Sequence, residues 1–371
     1  MEYREDSKET KKPRALIAMS GGVDSSVAAL FMQKAGYDCV GVTMKLYDNE
    51  EIGIPKGNTC CSLDDTDDAR QVCYRLGMPH YVVNFREDFS EKVIDRFVAA
   101  YERGDTPNPC IDCNRFLKFA RLFDRAEALD CVKIVTGHYA RTAFDEKKGR
   151  WLLKRAANKE KDQSYVLYFM TQQMLEKVCF PLGETSDKEE IRSEAEQYGF
   201  VNARKHDSQD ICFVPDGDYA AFIRRRTGKE YPPGDFVDEE GRVLGRHKGL
   251  IGYTTGQRRG LGLALPAPLY VRKKNMQANT ITLVPDEKLY TRELTAEDFN
   301  WISIDPPKEG EEVRVTAKPR YRAKEAPAIA LRQQDGKVRI IFDEPQRAIT
   351  SGQAVVLYDG EDVVGGGTIC G

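Results

Sequence analysis

The first residues whose types and spacing suit chemistry lie at positions 20–25 and read Ser-Gly-Gly-Val-Asp-Ser. They follow an apolar run at 15–19 and precede an apolar helical pattern at 27–32. A turn of small residues between a strand and a helix lets backbone N–H groups converge on an anion at the helix N-terminus. Gly21 and Gly22 carry no Cβ, so the backbone can approach a ligand closely. The string predicts a phosphate-binding loop, and the alternative is a tight turn without a ligand.

The spacing separates this loop from two common phosphate-binding motifs. It lacks the Gly-Lys-Ser/Thr ending of a Walker loop and the Gly-x-Gly-x-x-Gly pattern of a dinucleotide fingerprint. It resembles instead the pyrophosphatase-type loop of ATP-dependent adenylating enzymes. That resemblance implies cleavage of ATP between the α- and β-phosphates, transfer of AMP to a carbonyl oxygen, and displacement of AMP by a nucleophile.

The second chemically promising group consists of thiols. Cys110 and Cys113 have the Cys-x-x-Cys spacing, and Cys212 follows much later. Two thiols at this spacing can meet at one centre or form a disulfide. We expect a helix to begin at Asn114, which places Cys113 near a helix N-terminus, where the thiolate is favoured. A buried structural role is the interpretation for Cys39, Cys131, Cys179 and Cys370, whereas a regulatory role stays open beside it for Cys60, Cys61 and Cys73.

The scaffold that positions these groups is predicted to be α/β, with a doubly wound N-terminal nucleotide-binding domain. Up to about residue 205, strands rich in Val, Ile and Leu alternate with helices. The predicted strands include 39–44, 81–85 and 132–136, and the predicted helices include 89–102 and 114–128. Such a sheet binds ligands at the carboxyl ends of its strands, where Ser20 and Gly137 are both expected.

The rest of the chain predicts two smaller domains. From about residue 290, apolar and polar residues tend to alternate with period two, which favours a C-terminal antiparallel β-barrel. Pro327 is expected at an edge strand or a bulge. The predicted division is a catalytic domain at 1–207 with a flexible tail at 1–13, a small central α+β domain at 208–288, and the barrel at 289–371.

Composition and charge restrict the class of protein. With 41% hydrophobic and 31% charged residues and no apolar run of membrane-spanning length, the 371-residue chain is typical of a soluble protein, and we expect it to be cytoplasmic. The net charge of −3 gives no sign of nucleic-acid binding. The stretch 241–285, however, contains eight Lys and Arg residues and no Asp or Glu. It predicts a contact surface for a polyanion, against the alternative of a solvated basic face.

Further strings resemble those of tRNA-specific 2-thiouridylases, bacterial enzymes that sulfurate the wobble uridine of tRNA. They are Thr-Pro-Asn-Pro-Cys at 106–110, Thr-Gly-His-Tyr-Ala-Arg at 136–141, Lys-Asp-Gln-Ser-Tyr at 161–165, Tyr-Thr-Thr-Gly-Gln-Arg-Arg-Gly-Leu-Gly at 253–262, Lys-Pro-Arg-Tyr-Arg at 318–322 and Pro-Gln-Arg-Ala-Ile-Thr at 345–350. Together with the phosphate loop they extend the resemblance from about residue 14 to the end of the sequence. Their order and spacing are far more specific than the loop alone.

The resemblance implies a set of site residues. ATP and Mg²⁺ would be bound by Ala18, Met19, Ser20, Gly21, Gly22, Val23, Asp24, Ser25, Met44 and Gly137. The target-base pocket would be lined by Asn108, Pro109 and Cys110. Cys113 takes the position of the family's nucleophile, and Cys212 carries or completes the sulfur chemistry. Contacts to tRNA would come from Lys161, Asp162, Gln163, Arg320 and Tyr321, although one exposed face of a barrel strand is the alternative for the last two.

The implied reaction converts the C2 oxygen of U34 into a leaving group by adenylation, after which sulfur attacks C2 and AMP departs. The uridine must be splayed out of the anticodon loop to reach the pocket. By resemblance, the substrates are tRNAs that read Lys, Glu and Gln codons. The rival functions are another adenylating ligase of the same loop class, and a tRNA-binding module whose nucleotide loop is only regulatory.

The form of the sulfur stays open because this chain departs from the family pattern. Many members carry Asp at the first position of an Asp-x-x-Cys motif, where this chain has Cys110. In one route, a cysteine desulfurase or persulfide relay protein loads Cys212, and Cys113 resolves the persulfide by forming a disulfide. In the other, Cys110, Cys113 and Cys212 hold a [4Fe–4S] cluster whose fourth iron binds free sulfide. We expect the cluster route.

Overall fold

The computed structural model describes residues 12–47, 63–205, 211–264 and 267–371. Nearly all of the predicted N-terminal tail lies outside these ranges, as do Cys60 and Cys61.

The part of the chain up to residue 205 builds an α/β unit. Its strands are β1 (Arg14–Ala18), β2 (Asp38–Lys45), β3 (His80–Asn84), β4 (Lys133–Val135), β5 (Arg141–Asp145), β6 (Arg150–Lys154) and β7 (Val178–Cys179). Its α-helices are α1 (Val23–Lys34), α2 (Leu63–Arg75), α3 (Arg86–Phe89), α4 (Arg96–Arg103), α5 (Pro109–Asp112), α6 (Ala120–Ala128), α7 (Gln172–Lys177) and α8 (Lys188–Gln197). Two π-helical turns, Ser90–Asp95 and Cys113–Phe119, join α3 to α4 and α5 to α6.

A parallel sheet with strand order β3-β2-β1-β4-β7 forms the centre of this unit. Alternate residues of β1 point to opposite faces, as strand geometry requires. Ile17 belongs to the core cluster that includes Val27 of α1 and Ile191 of α8, whereas Leu16 belongs to the cluster with Leu122 of α6. Helices thus cover both faces, which confirms the doubly wound fold. Because β2 and β4 flank β1, the chain switches direction beside β1, where such sheets bind ligands.

The sequence prediction placed one helix boundary wrongly. The helix expected to begin at Asn114 begins at Pro109, with Asn108 as its N-cap. The Asn108 side chain accepts a hydrogen bond from the Cys110 N–H at 3.1 Å, and proline suits the first helical position because it has no N–H to satisfy. Cys113 therefore lies in the second turn of the helical segment, not ahead of it.

The central segment forms a small α+β unit. It contains α9 (Tyr219–Thr227) and the strands β8 (Gly234–Val237), β9 (Val243–His247), β10 (Tyr270–Asn275) and β11 (Thr280–Val284), in the order β10-β11-β8-β9. Phe236, Ile251 and Phe222 are buried in the clusters that hold this unit together and attach it to the first one.

The last segment closes into the predicted antiparallel barrel. Its strands are β12 (Tyr290–Trp301), β13 (Glu312–Lys318), β14 (Ala326–Arg332), β15 (Val338–Arg347), β16 (Ala354–Asp359) and β17 (Asp362–Cys370). The order β12-β15-β14-β13-β16-β17 is closed by pairing of β12 with β17. The expectation of an edge strand or a bulge at Pro327 was wrong, because β14 lies between β15 and β13 and pairs with both in regular register. Pro327 pairs with Thr316 of β13, and the pairing of β14 with β15 begins one residue later, so the missing N–H removes no ladder bond to β15.

The barrel sheet also receives a hairpin from the first unit. Strands β5 and β6 pair with each other, and Lys154 of β6 pairs with Asp362 of β17. The Lys154 Nζ lies 2.6 Å from the Asp362 Oδ1. The first and last units of the chain therefore share one sheet. Within the described parts of the chain, no helix is long and apolar enough to cross a bilayer.

Candidate functional site

The loop at 20–25 links the end of β1 to the start of α1 and is held by hydroxyl groups. The Ser25 hydroxyl accepts from the Ser20 N–H at 3.2 Å and donates to the Gly22 carbonyl at 2.9 Å. Gly22 occupies the N-cap of α1 and offers no side chain to accept hydrogen bonds from the N–H groups of the first turn. The loop is therefore closed on itself while the N-terminus of α1 keeps the donor groups that an anion needs.

Two glycines permit close approach of other backbone segments to this loop. Gly21 has φ +78°, and a Cβ there would lie 2.2 Å from the Asp65 carbonyl oxygen. A Cβ on Gly137, which follows β4, would lie 2.8 Å from the backbone of both Asp24 and Ser25. The ends of β1 and β4 thus meet as expected, and Gly137 is part of the loop's wall. Ala18, Met19 and Met44 lie at the same end of the sheet: Ala18 is the last residue of β1, Met19 follows it, and Met44 lies near the end of β2.

A chain of hydrogen bonds connects the loop to the segment at 161–163. The Tyr139 hydroxyl donates to the Asp24 Oδ1 at 2.8 Å. The Tyr139 N–H donates to the Gln163 Oε1 at 2.9 Å, and the Gln163 N–H donates to the Tyr139 carbonyl at 2.8 Å. Tyr139 therefore contacts both the carboxylate of Asp24 and the segment at 161–163.

Two side chains beyond the predicted set support the loop. The Asn202 amide donates to the Gly21 carbonyl at 2.9 Å and to the Ser26 hydroxyl at 3.0 Å, although the residue is 181 positions from Gly21. The Lys205 ammonium pairs with Asp65, whose backbone abuts Gly21, and with Asp68. No sequence pattern indicated either residue, because their partners lie far away along the chain.

The thiols differ in exposure. Cys110 is exposed, Cys113 is buried, and Cys212 is partly buried. Cys113 belongs to a core cluster with Phe89 and Phe213, and Cys212 packs against the same cluster. The structure therefore brings Cys113 and Cys212 to one cluster, while Cys110 faces solvent. Cys39 and Cys73 are buried in the core, consistent with structural roles.

Asp112, between the exposed Cys110 and the buried Cys113, is partly shielded from water. Burial raises the pKa of Asp112, against the opposing charge of the Arg96 guanidinium, whose Nε lies 3.5 Å from the Asp112 Oδ2. The adjoining turn at Cys113–Phe119 is π-helical. This geometry is rare in proteins as a whole, but where it occurs it is often at a functional site. Both features surround the thiols, and neither was predicted.

The residues predicted to contact tRNA fall into two groups. The Asp162 carboxylate accepts from the Ala156 N–H and the Ser164 N–H, both at 3.1 Å, and the Gln163 amide oxygen holds Tyr139. These two side chains therefore hold their own loop. Arg320 and Tyr321 are exposed in the connection between β13 and β14.

The barrel brings Tyr321 to the first unit of the chain. Although Tyr321 is 41% exposed, partial burial of the phenol raises its pKa, and the nearby ionisable groups Asp162, Lys161 and Cys110 also affect it. Its ring contacts the ring of Tyr165, with centroids 5.6 Å apart. The barrel loop that carries Tyr321 therefore lies near Cys110 and the segment at 161–163.

The acid-free stretch at 241–285 does not form a uniformly basic face. Acidic residues just before it pair with part of its charge: Arg242 lies beside Asp238 and Glu240, Arg246 beside Asp235, and Arg272 beside Glu239. Arg258 and Arg259 are exposed. The pairing narrows the predicted polyanion surface to part of the stretch.

Comparison with protein families gives three matches along the chain. Residues 13–216 match the tRNA methyl transferase HUP domain, 220–285 match the tRNA methyl transferase PRC-barrel domain, and 291–369 match the aminomethyltransferase beta-barrel domain. The first match alone spans more than half of the 371 residues.

Close relatives extend over nearly the whole chain. A protein of Acetivibrio thermocellus named tRNA-specific 2-thiouridylase MnmA is 49% identical over 360 residues, which cover 96% of this chain and 99% of the relative. A protein of Clostridioides difficile with the same name is 48% identical over 356 residues, which cover 96% and 98%. A solved 4-thiouridine synthetase–RNA complex with bound ATP is 19% identical, covers 55% of this chain and 45% of its own, and has a TM-score of 0.35, too low to argue from.

Proposed function

Since the chain belongs to the tRNA-specific 2-thiouridylase family, we propose that it converts the wobble uridine U34 of tRNA to 2-thiouridine at the expense of ATP. The observation that carries this proposal is the continuity of the site. The path from Asp24 through Tyr139 to Gln163 joins the phosphate loop to the segment that borders Tyr321 and Cys110. These contacts support a single site in which the nucleotide loop and the tRNA-contacting segment are neighbours.

In the first step, the protein binds ATP and directs AMP to the C2 oxygen of the uridine. The proposed ATP-binding residues are Ala18, Met19, Ser20, Gly21, Gly22, Val23, Asp24, Ser25, Met44 and Gly137. The N–H groups at the start of α1 hold the phosphates, and the walls formed by Gly21 and Gly137 keep the loop in the conformation that presents them. Pyrophosphate leaves in this step.

Mg²⁺ fits this loop through Asp24. Protein sites for Mg²⁺ with nucleotides use one or two carboxylates together with the substrate phosphates and water. The Asp24 carboxylate lies in the first turn of α1 and is oriented by the Tyr139 hydroxyl. When bound, the ion would neutralise charge on the departing pyrophosphate.

We propose that the target base enters beside Asn108, Pro109 and Cys110, and that Lys161, Asp162, Gln163, Arg320 and Tyr321 form the tRNA-contacting surface. In this surface, Arg320 contacts phosphate and Tyr321 stacks on a base, while Asp162 and Gln163 act by shaping the loop that carries Lys161. The proposed substrates are tRNAs for Lys, Glu and Gln, and the proposed domain limits are 1–207, 208–288 and 289–371.

The sulfur step is proposed to use Cys113 and Cys212. A persulfide donor loads Cys212, and the Cys113 thiolate attacks the inner sulfur, which forms the Cys113–Cys212 disulfide and releases hydrosulfide. Hydrosulfide attacks C2 of the adenylated uridine, the C2–S bond forms, and AMP leaves with the electron pair of the broken C2–O bond. An external thiol then reduces the disulfide by two electrons and restores both cysteines.

The described part of the structure does not support a [4Fe–4S] cluster at these thiols. Among the residues that the structure describes, no three His, Cys, Asp or Glu side chains are placed to hold a metal ion. Cys110 is exposed while Cys113 is buried. The expectation of the cluster route is therefore not supported.

The test combines the purified protein with ATP, Mg²⁺ and a transcript of a tRNA for Lys, Glu or Gln, with sulfur from either a cysteine desulfurase or free sulfide. We expect pyrophosphate release that depends on tRNA, and 2-thiouridine by mass spectrometry of the digested tRNA, absent from a U34C transcript. Pyrophosphate release without tRNA dependence favours another ligase. Binding of tRNA without pyrophosphate release favours the regulatory module.

Cysteine variants and iron analysis separate the sulfur routes. With the desulfurase donor, C113S and C212S should lose thiolation by at least about 100-fold while retaining tRNA-dependent pyrophosphate release. C110S should stay active, and C370S, in the last strand of the barrel, is the matched control. About four irons per chain after anaerobic purification, lost in C110S together with sulfide-dependent activity, would contradict the persulfide route.

A further inference from the structure

Lys318 places a cation at the border between the barrel and the first unit of the chain. It is the last residue of β13, where it pairs with Val356 of β16, and it is half-buried. Its Nζ lies 5.8 Å from the ring centroids of both Tyr165 and Tyr321. Two aromatic rings that contact each other thus flank the ammonium group, at a distance typical of cation–π interaction.

The carboxylate of Asp162 acts on Lys318 electrostatically but makes its hydrogen bonds elsewhere. Its Oδ1 accepts from the Ala156 and Ser164 N–H groups at 3.1 Å, and its Oδ2 accepts from the Ser164 hydroxyl at 2.9 Å. The hydrogen bonds of Asp162 therefore stabilise its own loop and do not include Lys318.

The carboxylate of Glu325 also makes its hydrogen bonds to groups other than Lys318. Its Oε2 pairs with the Arg155 guanidinium and accepts from the Thr316 hydroxyl at 2.8 Å. Among the described residues, Lys318 has cation–π contacts but no hydrogen-bond acceptor and no ion pair. A half-buried ammonium group without an acceptor is costly unless an anion completes its surroundings.

The surroundings of Lys318 indicate where such an anion would come from. Tyr321, one of its two ring partners, is influenced by the charges of Lys161 and Cys110. Arg320 is exposed two residues further along the chain. Burial lowers the pKa of Lys318, as expected for a cation partly removed from bulk water without an ion pair.

We propose that Lys318 binds a phosphate group of the substrates and that Tyr165 and Tyr321 hold its ammonium group in place for this contact. The inference rests on the proposed function and adds a residue to its binding surface. The phosphate belongs either to the tRNA backbone, which the neighbouring Arg320 favours, or to ATP, whose loop is linked to the 161–163 segment through Tyr139.

The test measures binding without turnover for K318M, K318R and the control K308M, which changes an exposed lysine of the same barrel. With a tRNA phosphate as the partner, K318M should bind tRNA about tenfold more weakly, and the dependence of log K on log salt should flatten by about 0.7 to 0.9. K318R should retain most of the affinity. With an ATP phosphate as the partner, tRNA affinity is kept and ATP affinity in equilibrium dialysis falls instead.

The proposal is overturned if K318M matches K308M within twofold in both tRNA and ATP affinity. Methionine keeps the length of the side chain, so we expect the thermal unfolding midpoint of K318M to be no lower than that of the wild type. If K318M does not fold, K318Q replaces it in the same comparison. Binding is measured apart from thiolation, so a wild-type protein that makes no 2-thiouridine would refute the proposed function and leave the contact of Lys318 to be decided by these affinities.

Discussion

Asp24 combines a position at the N-terminus of α1 with a hydrogen bond from Tyr139. We expect D24N to lower tRNA-dependent pyrophosphate release by about 100-fold, because it removes the charge that is proposed to hold Mg²⁺ at the phosphates. The affinity for tRNA should stay within about twofold of the wild type. A pyrophosphate assay and a filter-binding assay measure the two effects.

The matched control for this prediction is D38N. Asp38 begins β2 at the opposite end of the sheet, where it pairs with Arg14 at 2.9 Å. We expect its replacement to leave pyrophosphate release unchanged. A D24N protein that loses tRNA binding as strongly as pyrophosphate release would assign Asp24 to the RNA surface instead.

At the residue scale, the sequence identifies residues that could bind or react with a ligand better than it identifies residues that hold the site in shape. The small-residue string at 20–25 and the thiols could be found because type and spacing alone carry their signal. The roles of Asp162 and Gln163 could not, because their partners are backbone groups of Ala156 and Tyr139 that only folding brings near. A string shared with a family can therefore preserve the shape of a loop as well as a contact to the substrate.

The junction between β4 and α1 is the element on which the phosphate loop depends most closely. In G137A, the new Cβ would lie 2.8 Å from backbone atoms of Asp24 and Ser25, so the loop must shift. We expect the KM for ATP to rise at least about tenfold and the free energy of unfolding to fall by about 1–3 kcal/mol. Steady-state kinetics and urea unfolding provide the two measurements.

The control substitution is G252A, because a Cβ at Gly252 would have no neighbour closer than 3.9 Å. Its stability should lie within about 0.5 kcal/mol of the wild type. Equal effects of G137A and G252A on the KM for ATP would show that the close approach at Gly137 does not shape the nucleotide site.

The packing of β10 against the end of α4 predicts a pH-dependent stability. The Lys274 Nζ donates to the Tyr253 carbonyl at 3.1 Å and lies 5.7 Å from the Tyr101 ring centroid. Burial lowers the pKa of Lys274 to about 8, although the charge of Asp105 opposes this shift. An unfolded lysine has a pKa of about 10.4, so between these values the unfolded state binds more protons and the free energy of unfolding rises with pH.

Urea unfolding of the wild type and K274M from pH 7 to pH 10 measures this effect. The difference in free energy of unfolding between wild type and variant should be constant below about pH 7. It should then shift in favour of the wild type above pH 8, by at most about 1.4 kcal/mol per pH unit. Parallel curves over the whole range would contradict a deprotonation of Lys274.

At the element scale, periodicity identified strands and helices well, whereas helix ends needed local chemistry. The helix at Pro109 could have been found from the sequence, since Asn108 followed by proline is a favourable N-cap and first position. The π-helical turn at Cys113–Phe119 could not, because it depends on how the helix packs against the rest of the fold.

At the scale of the whole molecule, the central unit carries both exposed arginines and arginines paired with carboxylates, and these two groups should contribute differently to tRNA binding. Arg258 and Arg259 are exposed, whereas Arg242 and Arg246 lie beside carboxylates. We expect the double variant R258A/R259A to weaken tRNA binding at low salt by about tenfold or more and to flatten its salt dependence by one to two units, at about 0.9 for each lost phosphate contact.

The double variant R242A/R246A removes the same charge from paired positions and should weaken binding less. Electrophoretic mobility shifts at several salt concentrations compare the two proteins. Identical behaviour of the two variants would mean that only the overall charge matters, and that the central unit has no defined docking face.

The shared sheet of the first and last units has a consequence for synthesis of the protein on the ribosome. The hairpin of β5 and β6 emerges early, but its partner β17 contains Asp362 and is made last. Until translation ends, the hairpin has no barrel strand to join, and the edge of β6 that pairs with β17 stays open. No local pattern in the sequence indicated that this hairpin pairs with the last strand of the chain. We therefore expect chaperones to protect the nascent chain for almost the full time of its translation.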